Sequence, residues 1–196
     1  MISLNISRFF RRGKRLDEIA ESREIKIMHI SDTPDNIYPF LLNIIERTKP
    51  NYIIHTGDLV DNIKLERKPE LRDRYRKSLK SILHILENSG AQVYIVPGNE
   101  DDENILKEVA KNSKILFPGS ILEIEGLKLA LGHEFRDVIK IDADLKLYGH
   151  NFKVILKGLN GVLNVNFILL PSRKIVKIKY PDGTNFERGY KMMRGL

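Results

Sequence analysis

Three apolar runs, EIKIMHI (24–30), NYIIHT (51–56) and AQVYIV (91–96), alternate with stretches whose apolar residues recur every three or four positions. Near-continuous apolar runs suit strands buried on both faces, and parallel strands need a crossover, usually a helix, to join them. The crossovers are readable. IYPFLLNIIERT (37–48) has helical spacing after a turn at Pro34 and Asn36. Residues 70–88 put Leu71, Tyr75, Leu79, Ile82, Leu83 and Leu86 on one face, with Gly90 just past the end, and ENILKEVAKN (103–112) is a third, shorter helix. After residue 113 the pattern changes. KILFPG, SILEIEG, LKLALG, DLKLYG, VLNVNFILL and RKIVKIKYP are short β-like runs broken by Gly, Pro and Asn. A chain that begins βαβαβα and finishes mostly β predicts an α/β fold of two packed sheets with helices outside.

The 196 residues suit a single domain, here 23–196. Residues 1–22 stand apart as a basic amphipathic segment, with Ile6, Phe9, Phe10, Leu16, Ile19 and Ala20 at near-helical spacing; docking on its own domain is the expectation. The absence of cysteine excludes disulfides, zinc–thiolate sites and cysteine nucleophiles, and fits a reducing, cytoplasmic setting. No apolar run approaches the roughly 20 residues that span a bilayer, and the first residues carry no apolar signal core. The net charge of +7 gathers in RFFRRGKR (8–15), 64–80 and RKIVKIK (173–179). Such runs are either solvated faces or a field that attracts nucleotides or nucleic acid, and composition leaves both open.

The chemistry lies at the strand ends. IKIMHIS runs into Asp32. NYIIHTG runs into Asp58, with Asp61 following. QVYIVPG runs into Asn99, Glu100 and Asp101. LKLALG runs into His133 and Glu134, and DLKLYG into His150 and Asn151. Any one of these could be ordinary turn chemistry. Five apolar runs that each deliver an oxygen or imidazole just past the end predict convergence in the crevice outside the strands' carboxyl ends. A mixed N/O donor set suits Mn, Fe, Co, Ni or Zn. His29, His55 and His84 lie inside elements and read as packing or surface residues.

The segments SDTPD, GDLVD, VPGNED, LGHE and LYGHN, in this order over about residues 24–175, resemble the calcineurin-like metallophosphoesterases, with LPSRKI (170–175) similar to a late Asn-Pro-Gly-Ser segment of that family. The resemblance implies a four-layer α/β/β/α sandwich with two central mixed sheets. It implies hydrolysis of a phosphomonoester or phosphodiester by a metal-activated water, with Mn, Ni, Fe, Zn or Mg as cofactor, and family members often pair as homodimers.

By resemblance, Asp58 bridges two ions, and Asn99, His133 and His150 complete the shell of one. The second ion would use Asp32 and two histidines, at positions where this chain has Pro34 and Phe152. Neither side chain can ligate. The resemblance therefore implies one complete half-site, with Asp35, Asn36 and Asp61 as substitute ligands for the other, and one or two ions per chain. Glu100 stands where many members carry a histidine that protonates the leaving group, so Asp58, Asn99, Glu100 and His133 are the expected catalytic set. Arg136 and Arg173 are the expected phosphate-binding residues. The losses at positions 34 and 152 keep a second reading open: a binding scaffold that retained the fold without catalysis, for which the retromer subunit of this fold is a precedent. A third reading is a nucleic-acid-binding protein that uses its basic surface.

Overall fold

The computed structural model describes residues 13–190. The chain runs α1 (residues 13–21), β1 (Ile25–Ile30), α2 (Tyr38–Thr48), β2 (Tyr52–His55), α3 (Arg72–Glu87), β3 (Gln92–Ile95), α4 (Glu103–Val109), β4 (Lys114–Ile115), β5 (Ser120–Ile124), β6 (Leu127–Leu131), α5 (Phe135–Val138), β7 (Leu145–Tyr148), β8 (Gly158–Asn160), β9 (Val165–Leu170), β10 (Lys174–Ile178) and α6 (Thr184–Glu187). Short 3-10 turns, Asp35–Ile37 and Pro69–Leu71, lead into α2 and α3.

Two mixed sheets result. The larger has the order β10-β9-β1-β2-β3-β4 and the smaller β5-β6-β7-β8. β1 to β4 are parallel, while β9 returns antiparallel to β1 and pairs with β10. In the small sheet β5 is antiparallel to β6, and β6, β7 and β8 are parallel. The late β-like runs thus divide between the sheets: β4 and the β9–β10 hairpin complete the first sheet at its two edges.

The period-2 alternation of the strands sorts their side chains between two cores. Met28, Ile30, Ile53, Val93 and Ile95 face the helices, meeting Leu41, Ile44 and Ile45 of α2 and Tyr75, Leu79, Ile82 and Leu86 of α3. Ile27, Ile54, Tyr94 and Ile168 face the other way, onto Leu129, Leu131, Leu147 and Leu159 of the small sheet. Fully burying such a side chain contributes about 1.5–3 kcal/mol. These two layers fix how the sheets stack, and with them the position of every strand end. The outer cover of the small sheet is thin: α5, only four residues long, with Ala130, Val138, Ala143 and Tyr148 packed beneath it.

The described part of the N-terminal segment docks on the domain. Leu16 and Ile19 enter the helix-side core, Arg15 donates to the Lys177 carbonyl and Arg47 pairs with Asp17. Residues 1–12 of that segment, including Ile6, Phe9 and Phe10, lie outside the described residues. Among the described residues no helix is long and apolar enough to cross a membrane.

Candidate metal centre

The carboxyl ends of β1, β2, β3, β6 and β7 open on one side, and the loops there are tied to one another. The Asp32 amide donates to the Gly57 carbonyl (2.9 Å), the Thr33 amide to the Asp58 carbonyl (2.9 Å) and the Gly149 amide to the His133 carbonyl (2.8 Å). Asp101 acts as a clamp. Its carboxylate accepts the amides of Asp58 (2.8 Å), Gly98 (2.9 Å) and Leu59 (3.0 Å) and the Tyr75 hydroxyl (3.0 Å). Burial and the neighbouring Asp58 charge push Asp101 up to about 6, against the amides that favour its ionised form.

The glycines before the ligands have a steric cause. A β-carbon on Gly98 would overlap the Asp58 carboxylate and crowd the His133 ring, and one on Gly149 would overlap Ser31 Oγ and the Asp32 carboxylate. Asp32 (φ 53°), Asp58 (φ 56°) and His150 (φ 66°) adopt left-handed backbone. Asp and His tolerate that region better than most residues, and strain of this kind concentrates at functional sites.

His133 is the hub. Its Nδ1 donates to the Thr56 carbonyl (2.7 Å), an acceptor only, so Nε2 faces the centre. Around Nε2 stand Asn99 Oδ1 (3.1 Å), His150 Nδ1 (3.1 Å) and Asp58 Oδ2 (3.4 Å). Asn99 Nδ2 points away to Glu66, which sets the amide oxygen inward. Four ligands bonded to one ion at about 2.1 Å lie roughly 3.0–3.4 Å from each other, and the three distances to Nε2 match that spacing. Asp58, His133 and His150 indeed bring one donor atom each within 4.8 Å of one another. The other Asp58 oxygen, Oδ1, accepts the Glu100 amide (3.0 Å). Burial opposes charge on His133, but the carboxylates of Asp58 and Asp32 raise it to about 10. Burial likewise pushes Asp58 up, and His133 outweighs it, holding Asp58 below its ordinary value.

The other half differs in kind. Asp32, Asp58 and Asp61 form a buried carboxylate group. Asp32 Oδ2 accepts from Ser31 Oγ (2.5 Å) and from the His150 amide (3.0 Å). Asp61 pairs with Lys64, and burial together with Asp32 and Asp58 pushes it up to about 8. The C-terminal segment closes the far side. Buried Arg188 donates to the carbonyls of Asp32 (2.6 Å), Val162 (2.7 Å) and Ser31 (3.3 Å). The Tyr190 hydroxyl donates to the His150 carbonyl, and its ring lies 4.6 Å from that of Phe152.

Asp32, Asp58, Asp61, Asn99, His133 and His150 therefore come together as the sequence led us to expect. Other expected residues do not join them. The Asp35 carboxylate turns to Ser78 of α3, and Asn36 is exposed on the 3-10 turn. The Glu100 carboxylate is buried and accepts the Glu66 amide (3.1 Å), bracing the 61–68 loop. Arg136 is exposed, its guanidinium over the Phe135 ring. Arg173 sits in the β9–β10 turn. Because β9 runs antiparallel to β1, with Ile25 opposite Leu170, that turn lies at the end of the sheet remote from the centre, where Arg173 pairs with Asp144 (3.3 Å). Arg173 thus stands apart from the Asp58–His133–His150 group.

The sequence profile of the calcineurin-like phosphoesterases matches residues 25–181, most of the chain and every strand of the two sheets. The chain belongs to this family. Calcineurin-like phosphoesterases use divalent metal ions, and the Asp58–His133–His150 group together with Asn99 supplies donors of the kind the family requires. No curated protein matches the sequence significantly. Among solved structures, one crystal structure overlays with a TM-score of 0.56 at 12% identity, over 81% of this chain and all of that one. YfcE, a phosphoesterase from E. coli, overlays with a TM-score of 0.48 at 16% identity, over 80% of this chain and all of that one. AQ665 from Aquifex aeolicus, a protein of unknown function, gives 0.45 at 17% identity, over 70% and 89%. At 12% identity the first overlay bears on fold alone.

Lys64, Arg188, Tyr190 and Asp101 were not singled out as contributors by the sequence. Lys64 had one local signal, its place three residues after Asp61 in GDLVDNIK. Arg188 and Tyr190 had none.

Proposed function

We propose that this calcineurin-like phosphoesterase hydrolyses phosphate esters with one divalent ion per chain, held by Asp58 Oδ2, Asn99 Oδ1, His133 Nε2 and His150 Nδ1. The observation that carries the reading is the convergence of three donors on His133 Nε2 within 3.4 Å, with its ring fixed by the Thr56 carbonyl. Such an ion supplies Lewis acidity for phosphoryl oxygens and lowers the pKa of a water towards neutrality. The chain's own part is positioning. Asp101 holds the backbone on which Asp58 is carried, Glu66 orients the Asn99 amide, and the Glu134–Asp137 capping box fixes the turn after His133. Imidazole and carboxylate donors together favour Mn, Fe, Ni or Zn over Mg. Arg136, three residues past His133, is the remaining candidate to meet a phosphoryl group. Glu100 serves as a loop brace in this reading, and its buried carboxylate is occupied by the Glu66 amide. The charge of +7 favours nucleotides or nucleic acid as the esters.

A non-catalytic binding role is the second reading. What favours it is the Phe152–Tyr190 contact in place of a ligand histidine. Hydrolysis of an aryl phosphodiester with added Mn or Ni separates the two. The enzyme reading expects turnover in the wild type and a drop of at least about 100-fold in Asp58→Asn, the scale at which removing a charge-stabilising group acts. Equal rates in both would support the binding role.

A further inference from the structure

We propose that the ammonium of Lys64 stands in for the second metal ion, so that the centre is a mixed pair of one divalent cation and one lysine. This rests on the one-ion reading above.

Asp32, Asp58 and Asp61 lie with their oxygens within 4.8 Å of one another, all buried. Three carboxylates this close are stable as ions only beside cations, because their mutual repulsion in a low-dielectric setting otherwise favours a proton on one of them, as the raised Asp61 shows. Two histidines that would help hold a metal there are replaced by Pro34 and Phe152. Pro34 is buried and its carbonyl accepts the Ile37 amide, so the backbone there is committed to the turn that starts α2. Beside Asp61 stands Lys64. Its Nζ pairs with Asp61 Oδ1, its side chain is only 29% exposed, that of Asp61 is 2% exposed, and its charge also bears on Asp58. Cation binding favours the ionised carboxylates, and with all three ionised one divalent ion and the ammonium beside Asp61 match their charge. Arg188, buried behind Asp32, adds a further positive charge on that side of the centre.

The lysine is held in place. A β-carbon at Gly189 would lie 3.9 Å from Lys64 Cε, so the turn between Arg188 and Tyr190 passes directly over the lysine stem. That turn is fixed on one side by Arg188 on the Ser31 and Asp32 carbonyls and on the other by Tyr190 on the His150 carbonyl. The same C-terminal segment thus covers the place of the missing ligand at Phe152 and packs the lysine against Asp61. The loss of two imidazoles and the gain of one ammonium form a single substitution of one cation for another.

Metal stoichiometry tests this without reference to activity. Apo-protein is dialysed to equilibrium against excess Mn, and bound metal is counted by elemental analysis for wild type, Lys64→Met and Lys64→Arg. Lys64→Met keeps the apolar stem under Gly189 and removes the charge; its thermal unfolding checks that the chain remains folded. The expected counts are one ion per chain in wild type and in Lys64→Arg, and two in Lys64→Met, where three freed carboxylates offer a hard, all-oxygen site suited to Mn. Two ions in wild type, or one in a folded Lys64→Met, would overturn the inference. No ion in any of the three chains would overturn the one-ion reading itself, and this inference with it.

Discussion

His133 Nε2 faces three acceptors at 3.1–3.4 Å and holds a proton where a cation is to sit. Metal and proton therefore compete for one nitrogen. With His133 raised to about 10, the metal-free chain carries that proton throughout the neutral range. Ion uptake at pH 7 is expected to release about one proton, and affinity to rise up to tenfold per pH unit below the pKa. Calorimetry in two buffers of different ionisation enthalpy measures the released proton, and a value near zero would contradict the assignment of Nε2. At this scale the sequence was informative where the chemistry is local. Gly98 and Gly149 precede ligands because a β-carbon would collide with Asp58 and Asp32, and that demand leaves a visible mark in the chain. Arg188 leaves none, since its value comes from partners placed by the fold: it meets Asp32 across 156 positions.

The strand–loop junction is the working element, and Asp101 governs two of these junctions at once. It joins the end of β2 to the end of β3 through the amides of Asp58, Leu59 and Gly98, with Tyr75 of α3 behind it. Asp101→Ala strands these donors in a mostly buried setting. Leaving one unsatisfied costs about 1–3 kcal/mol, so the variant is expected to lose at least about 3 kcal/mol of stability and most of its Mn affinity. Urea unfolding and metal titration measure both; a loss below about 1 kcal/mol would show that the clamp is not what holds the centre. The longer elements were readable because periodicity needs length. α2 and α3 show one apolar face over 11 and 16 residues. β8 has three residues, and α5 and α6 have four, too few for a period to emerge. Where Arg173 lies was unreadable for a related reason: the direction of β9 is set by its pairing with β1, and the local sequence does not encode it.

Across the whole molecule, the two faces of the large sheet hold polar groups as well as apolar ones. His29 and His55 are fully buried; His29 bonds Thr56 (2.9 Å) and Asn166 (3.2 Å), and His55 bonds Thr33 (2.9 Å). Burial lowers both to about 3; His55 lowers His29 further, and at His55 the cations of His133 and Arg188 act against the nearby Asp58. The folded pKa lies below the unfolded value of 6.5, so the unfolded chain binds more protons between these limits. The stability each contributes is complete above pH 6.5 and falls as the pH is lowered towards 3. At pH 5 each costs about 2 kcal/mol. His29→Gln isolates the effect: between pH 7.5 and pH 5 the wild type is expected to lose about 2 kcal/mol more than the variant in urea unfolding. Equal losses would mean that His29 is charged in the fold. The same sheet stacking that buries His29 aligns the ends of β1, β2, β3, β6 and β7 over one crevice, and so sets the spacing of the donors. The most direct test of that spacing is a crystal soaked in Mn and measured at the manganese absorption edge. The account predicts one anomalous peak, bonded by Asp58, Asn99, His133 and His150, with none between Asp32 and Asp61. Two peaks, or a single peak away from His133, would contradict it.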